Sequence, residues 1–79
     1  MHEFTDAEGR HWAVSVGRES YGIVVLLFAP MQGEGVRKAM LGVDTRLEAE
    51  RELAAMSEEQ LLEHLEASIP WESRDWMAR

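Results

Sequence analysis

Few residues of this 79-residue chain could do chemistry, and cysteine is not among them. Acid–base catalysis or metal ligation would start from His2, His11 and His64, the side chains whose ordinary pKa lies nearest neutrality. A helical zinc site needs two imidazoles four residues apart on one face, as in H-E-x-x-H, and no pair here has that spacing. Asp6, His11 and Ser15 supply the residue types of a nucleophilic triad. Ser15 nevertheless lacks the glycine pair of a nucleophile elbow and any evident oxyanion donors. The glutamates between Glu48 and Glu66 could supply paired carboxylates, but such a pair needs a cleft that raises one pKa, which a solvated helix face does not provide. The loop Met31-Gln32-Gly33-Glu34-Gly35 has two glycines without the Lys-Ser/Thr ending or the following helix of a phosphate-binding loop, so it reads as a turn. No catalytic residue, metal ligand or cofactor is assigned, and the chain is expected not to be an enzyme.

The elements that would carry these residues can be argued from local chemistry. Asp6-Ala7-Glu8-Gly9 places Asp first and Gly fourth, as a type I turn closed by a left-handed residue prefers. With Asp6 facing Arg10, Phe4 falls opposite Trp12 and His2 opposite Val14. Trp12, Val14 and Val16 then share one face while His11, Ala13 and Ser15 share the other. Ile23 to Ala29 is apolar on both faces and β-branched at its start, which predicts a central strand ended by Pro30. Val36 to Val43 carries Arg37 and Lys38, charges that suit an edge strand.

Thr45 with Glu48, and Ser57 with Gln60, have capping-box spacing, and Met56 and Leu61 flank the second cap as a hydrophobic staple would. Two short helices over about 46–55 and 58–68 follow, with one longer helix bent near Met56 as the alternative. Leu61, Leu62, Leu65 and Ile69 form the apolar stripe of the second, and Pro70 ends it. The expected fold is α+β: a four-stranded antiparallel β-meander followed by one or two C-terminal helices packed on one sheet face. Residues 1–69 make the single domain, and 70–79 a tail bearing Trp71 and Trp76.

The pattern F-x-D-x-x-G-x-x-W-x-V, here Phe4, Asp6, Gly9, Trp12 and Val14, resembles the opening hairpin of a loose group of small uncharacterised bacterial proteins. Those proteins add further strands and close with a short helix introduced by an L-S-D-E-E-L-like stretch. Here that stretch is Met56-Ser57-Glu58-Glu59-Gln60-Leu61, with Met56 and Gln60 departing from the pattern. The resemblance implies a fold and a bacterial source and carries over no functional residues.

Composition narrows the function classes. Hydrophobic residues make up 46% of the chain and charged residues 29%, a balance that permits a packed core. The net charge of −7 is uneven: residues 45–68 hold seven Glu against two Arg. That field repels phosphate backbones and anionic lipid surfaces, so neither nucleic acid nor membrane is an expected partner. The N-terminal residues have neither a basic n-region nor an apolar h-region, and the longest apolar run is too short to span a bilayer, so the expected location is cytoplasmic.

A core this small rarely nets more than about 3–5 kcal/mol, and without cysteine no disulfide can supplement it, so self-association or a partner is the remaining support. One helical stripe covers one sheet face, whereas the central strand is apolar on both. The candidate interface is therefore Val24, Leu26 and Phe28 together with Trp71 and Trp76. The expected function is a small acidic protein-interaction module meeting a protein partner or a second copy in a homodimer. In one version the sheet face and tail dock; in another the Glu-rich helices meet a basic protein surface. The alternative is a small-molecule-binding domain with a pocket between sheet and helices.

Overall fold

A computed structural model describes residues 2–18, 23–33 and 35–71 of the chain. These residues form five strands and two helices: β1 (His2–Thr5), β2 (His11–Arg18), β3 (Val24–Pro30), β4 (Arg37–Met40), α1 (Arg46–Ala55), α2 (Glu58–Ala67) and β5 (Ile69–Pro70). All neighbouring strands are antiparallel, in the order β1-β2-β3-β4-β5. The α+β class and the meander are as expected, with one strand more. Among the described residues no helix is long and apolar enough to cross a membrane.

The first hairpin forms as the turn chemistry requires. The Gly9 N–H donates to the Asp6 carbonyl at 3.0 Å and the Asp6 N–H to the Arg10 carbonyl at 2.9 Å. Gly9 has φ +84°, the left-handed region that a side chain would penalise. His2 pairs with Val14 and Phe4 with Trp12, the expected register. The ring that Phe4 meets edge-on is Phe28 of β3, with centroids 6.1 Å apart at 76°.

Both helices are capped by their predicted residues. Thr45 accepts from the Glu48 N–H at 3.2 Å, while Ser57 and Gln60 complete a reciprocal capping box. The chain breaks between them: the Met56 backbone is extended, with φ −77° and ψ 137°. Two helices, not one bent helix, follow from that break. They lie on one face of the sheet, α1 against β2 and β3, and α2 against β4 and β1. Ala49 and Leu53 from α1 and Leu61 and Leu65 from α2 close over Phe4, Trp12, Val14, Val16, Leu26 and Phe28.

Three expectations are corrected. β4 is not an edge strand, because β5 pairs beyond it through Arg37–Pro70 and Lys38–Ile69. Arg37 turns inward to hold the end of α2: its Nε donates to Ser68 Oγ at 2.8 Å and its Nη2 to the Ser68 carbonyl at 2.7 Å. Ile69 does not continue the helical stripe. Helix α2 ends at Ala67, Ile69 and Pro70 become strand β5, and the Trp71 N–H adds one more bond to the Val36 carbonyl.

Candidate functional site

The pairing register assigns every strand side chain to a face. Trp12, Val14 and Val16 oppose Pro30, Phe28 and Leu26, and Leu26 opposes Ala39, which places all of these beneath the helices. Val24, Leu26 and Phe28 are 3%, 0% and 0% exposed. The candidate interface is thereby corrected: these three belong to the chain's own core. Strand β3 is apolar on both sides, so alternation alone could not say which set the helices would take.

The opposite face is the one neither helix touches. It presents Ala13, Ser15 and Gly17 from β2, Val25, Leu27 and Ala29 from β3, Lys38 and Met40 from β4, and Ile69 from β5. Trp71 continues β5 by one ladder bond, its N–H donating to the Val36 carbonyl at 2.9 Å, so alternation puts it on this face too. Met40 is 62%, Ile69 56% and Trp71 38% exposed. Trp71 thus stays in the candidate surface, and Trp76 lies outside the described residues.

The relief of this face is graded. On β2 the three residues are small, and Gly17 is small for a reason: a Cβ there would lie 2.5 Å from Leu27 Cδ1, because the leucine lies across the glycine. Val25, between Gly17 and Met40 in the register, is closed off at 1% exposure. On β4 and β5 the residues are long and stand clear. One half is a low shelf, and the other carries large apolar side chains.

The residues that could have done chemistry are not brought together. Asp6 is committed to the turn: Oδ1 accepts from the Glu8 and Arg10 N–H groups and Oδ2 from the Trp12 indole, each at 2.9 Å. The indole bond, first, and the two backbone donors hold its carboxyl below the usual carboxylate range. His11 faces away from the helices and shares a hydrogen bond of 3.0 Å with the Thr5 hydroxyl. Ser15 is on His11's face but mid-strand, four residues on. His2 falls on the opposite face from His11, and His64 borders a shallow groove between the helices with Arg51, Glu52 and Gln60. Among the described residues no group of three or more His, Asp or Glu side chains is placed to hold a metal ion.

A second concavity opens where the β1–β2 turn meets α2. It is an open groove of about 430 Å³, lined by Trp12, Leu62 and Leu65 together with Arg10, Arg37, Asp6, Glu8 and Glu66. The Arg10 guanidinium carbon stands 5.5 Å from the Trp12 ring centroid, stacking distance for a cation over an indole. Sequence reasoning did not find this groove, since it joins residues 10, 37 and 62 across three elements. No family model, no curated protein and no solved structure matches this chain.

Proposed function

We propose that this chain is a small bacterial protein-interaction module that docks through the helix-free face of its sheet. One observation carries the reading: Met40, Ile69 and Trp71, all large and apolar, are exposed together on a face that neither helix covers. Scattered apolar residues are ordinary on surfaces, but a contiguous set on one flat face marks an interface. The acid of α1 and α2 lies on the other side of the sheet, and the described strand residues of the docking face carry one acid, Glu3, and one base, Lys38. Catalysis has no corresponding support, because Asp6 is bonded to the turn and Trp12, His11 to Thr5, and Ser15 stands four residues from His11 along β2.

The test is a photo-crosslinking residue at Met40, irradiated in bacterial cells making the chain. Protein adducts are expected there, lost when Ile69→Glu is added, and none from the same probe at Leu47, which is 61% exposed on α1. A Met40 probe that captures no protein overturns the reading.

The groove beside Trp12 favours a second reading, a small-molecule site between sheet and helix. Trp12, Leu62 and Leu65 together with the Arg10 guanidinium and the carboxylates of Glu8 and Glu66 suit a compact aromatic zwitterion. A thermal-melt screen of aromatic amino acids tests this, with stabilisation that Arg10→Ala removes as the expected result.

A further inference from the structure

We infer that the occupant of the helix-free face is a second copy of this chain, related by a two-fold axis that runs parallel to the strands, between the two sheets and over β3. The inference rests on the docking face proposed above and names its partner. It starts from the graded relief. Two sheets stacked face to face can be related only by an axis lying between them, and an axis parallel to the strands reverses their left–right order. With β3 central in the order β1-β2-β3-β4-β5, that operation lays β4 and β5 of one chain over β2 and β1 of the other. Met40, which stands clear, then falls over Gly17 of the shelf and Lys38 over Ser15, since an axis parallel to the strands keeps each residue at its own level along them. Large side chains over small ones, twice by symmetry, is the self-complementarity that an isologous interface requires. A partner of unrelated shape has no reason to match both halves.

Charge selects the same pairing. The described strand residues of this face carry Glu3 and Lys38 and so balance, whereas α1 holds three Glu against two Arg and α2 four Glu with no Lys or Arg. Contact through the helices would set a net −5 against a net −5. Contact through the sheets leaves both helical layers outermost in water, separated by two sheets.

Size is sufficient for a reversible pair. Five strands of 4, 8, 7, 4 and 2 residues, at about 4.8 Å by 3.3 Å for each residue, give a footprint of about 400 Å². That lies below the roughly 800 Å² per partner of a standard interface and in the range of weak, transient pairs. The association is therefore expected to depend on protein concentration.

The experiment is sedimentation equilibrium of the purified full chain over a concentration series. Twice the 9.0 kDa chain mass is expected at the upper end, with single-chain mass throughout for Met40→Glu and for Ser15→Arg. Both positions are on the outer face, so circular dichroism melts confirm that the variants are folded. Leu47→Glu, on the helical layer, retains the dimer. A mixture of Lys38→Cys and Ser15→Cys chains is expected to form a mixed disulfide, since the axis sets these two positions opposite each other, and its absence in a dimeric protein overturns the proposed axis. A wild-type chain that is monomeric at every concentration overturns the inference. In that event Met40 adducts to a different protein leave the docking face standing, while the absence of adducts removes both.

Discussion

The indole Nε1 of Trp12 donates to Oδ2 of Asp6 at 2.9 Å, joining a buried core side chain to the residue that shapes the first turn. The other carboxylate oxygen gathers the Glu8 and Arg10 backbone N–H groups, so one side chain satisfies three donors within five residues. This explains the F-x-D-x-x-G-x-x-W spacing physically. The aspartate organises the turn, the glycine takes its left-handed position, and the tryptophan covers the core while its polar edge reaches the aspartate.

That contact sets a pH dependence. The folded-state pKa of Asp6 lies below its ordinary value of 3.8, so the unfolded chain binds more protons in this range and stability rises with pH. The Asp6 contribution is fully present above 3.8 and is lost as pH falls through the lower folded-state value. Thermal melts from neutral pH downward should show this loss, and Trp12→Phe, lacking the indole donor, should show a smaller one. Parallel pH profiles for the two proteins would contradict the assignment.

Gly9 tests the turn itself. With φ at +84° and open space around its Cα, substitution meets no neighbouring atom and only the backbone conformation is penalised. Gly9→Val is expected to destabilise the domain by about 1 kcal/mol or more, read as a lower denaturant midpoint at unchanged slope. An unchanged midpoint would mean that the turn adopts another geometry in solution.

Ser57 tests the break between the helices. Its hydroxyl accepts from the Gln60 N–H at 3.2 Å, and the Gln60 side chain accepts from the Ser57 N–H at 3.0 Å. Ser57→Ala should cost about 0.5–2 kcal/mol, the usual loss of an N-cap. A serine in mid-helix facing water would give almost no change, so chemical denaturation distinguishes two helices from one.

Arg37 tests the long-range closure. Its guanidinium holds the hydroxyl and carbonyl of Ser68, which is only 5% exposed, and so ties β4 to the C-terminus of α2. Arg37→Met keeps the apolar stem and removes both bonds, at an expected cost of about 1–3 kcal/mol. Hydrogen exchange at the Trp71 amide, which bonds to the Val36 carbonyl, should accelerate as β5 loosens. Unchanged exchange would show that β5 is held independently of Arg37.

Sequence alone determined what depends on neighbours within a turn or two. The Asp6–Gly9 hairpin, its register, the caps at Thr45 and Ser57 and the break at Met56 all arise from hydrogen bonds and backbone preferences spanning at most six residues, so their signals survive in the linear order. The same reasoning separated Trp12, Val14 and Val16 from Ala13 and Ser15, because that strand alternates. It failed at β3. There Val24, Leu26 and Phe28 are as apolar as Val25 and Leu27, and alternation carries no sign when both sets are hydrophobic. Tertiary packing chose, because β3 must present the face that Trp12, Val14 and Val16 already share through the pairing register. The fifth strand was equally invisible: two residues, one of them proline, acquire strand geometry only by pairing with Arg37 and Lys38, more than thirty positions earlier. The exposed face, and with it the candidate interface, follows from those two non-local choices, since a face is left open only after the helices have settled on the other.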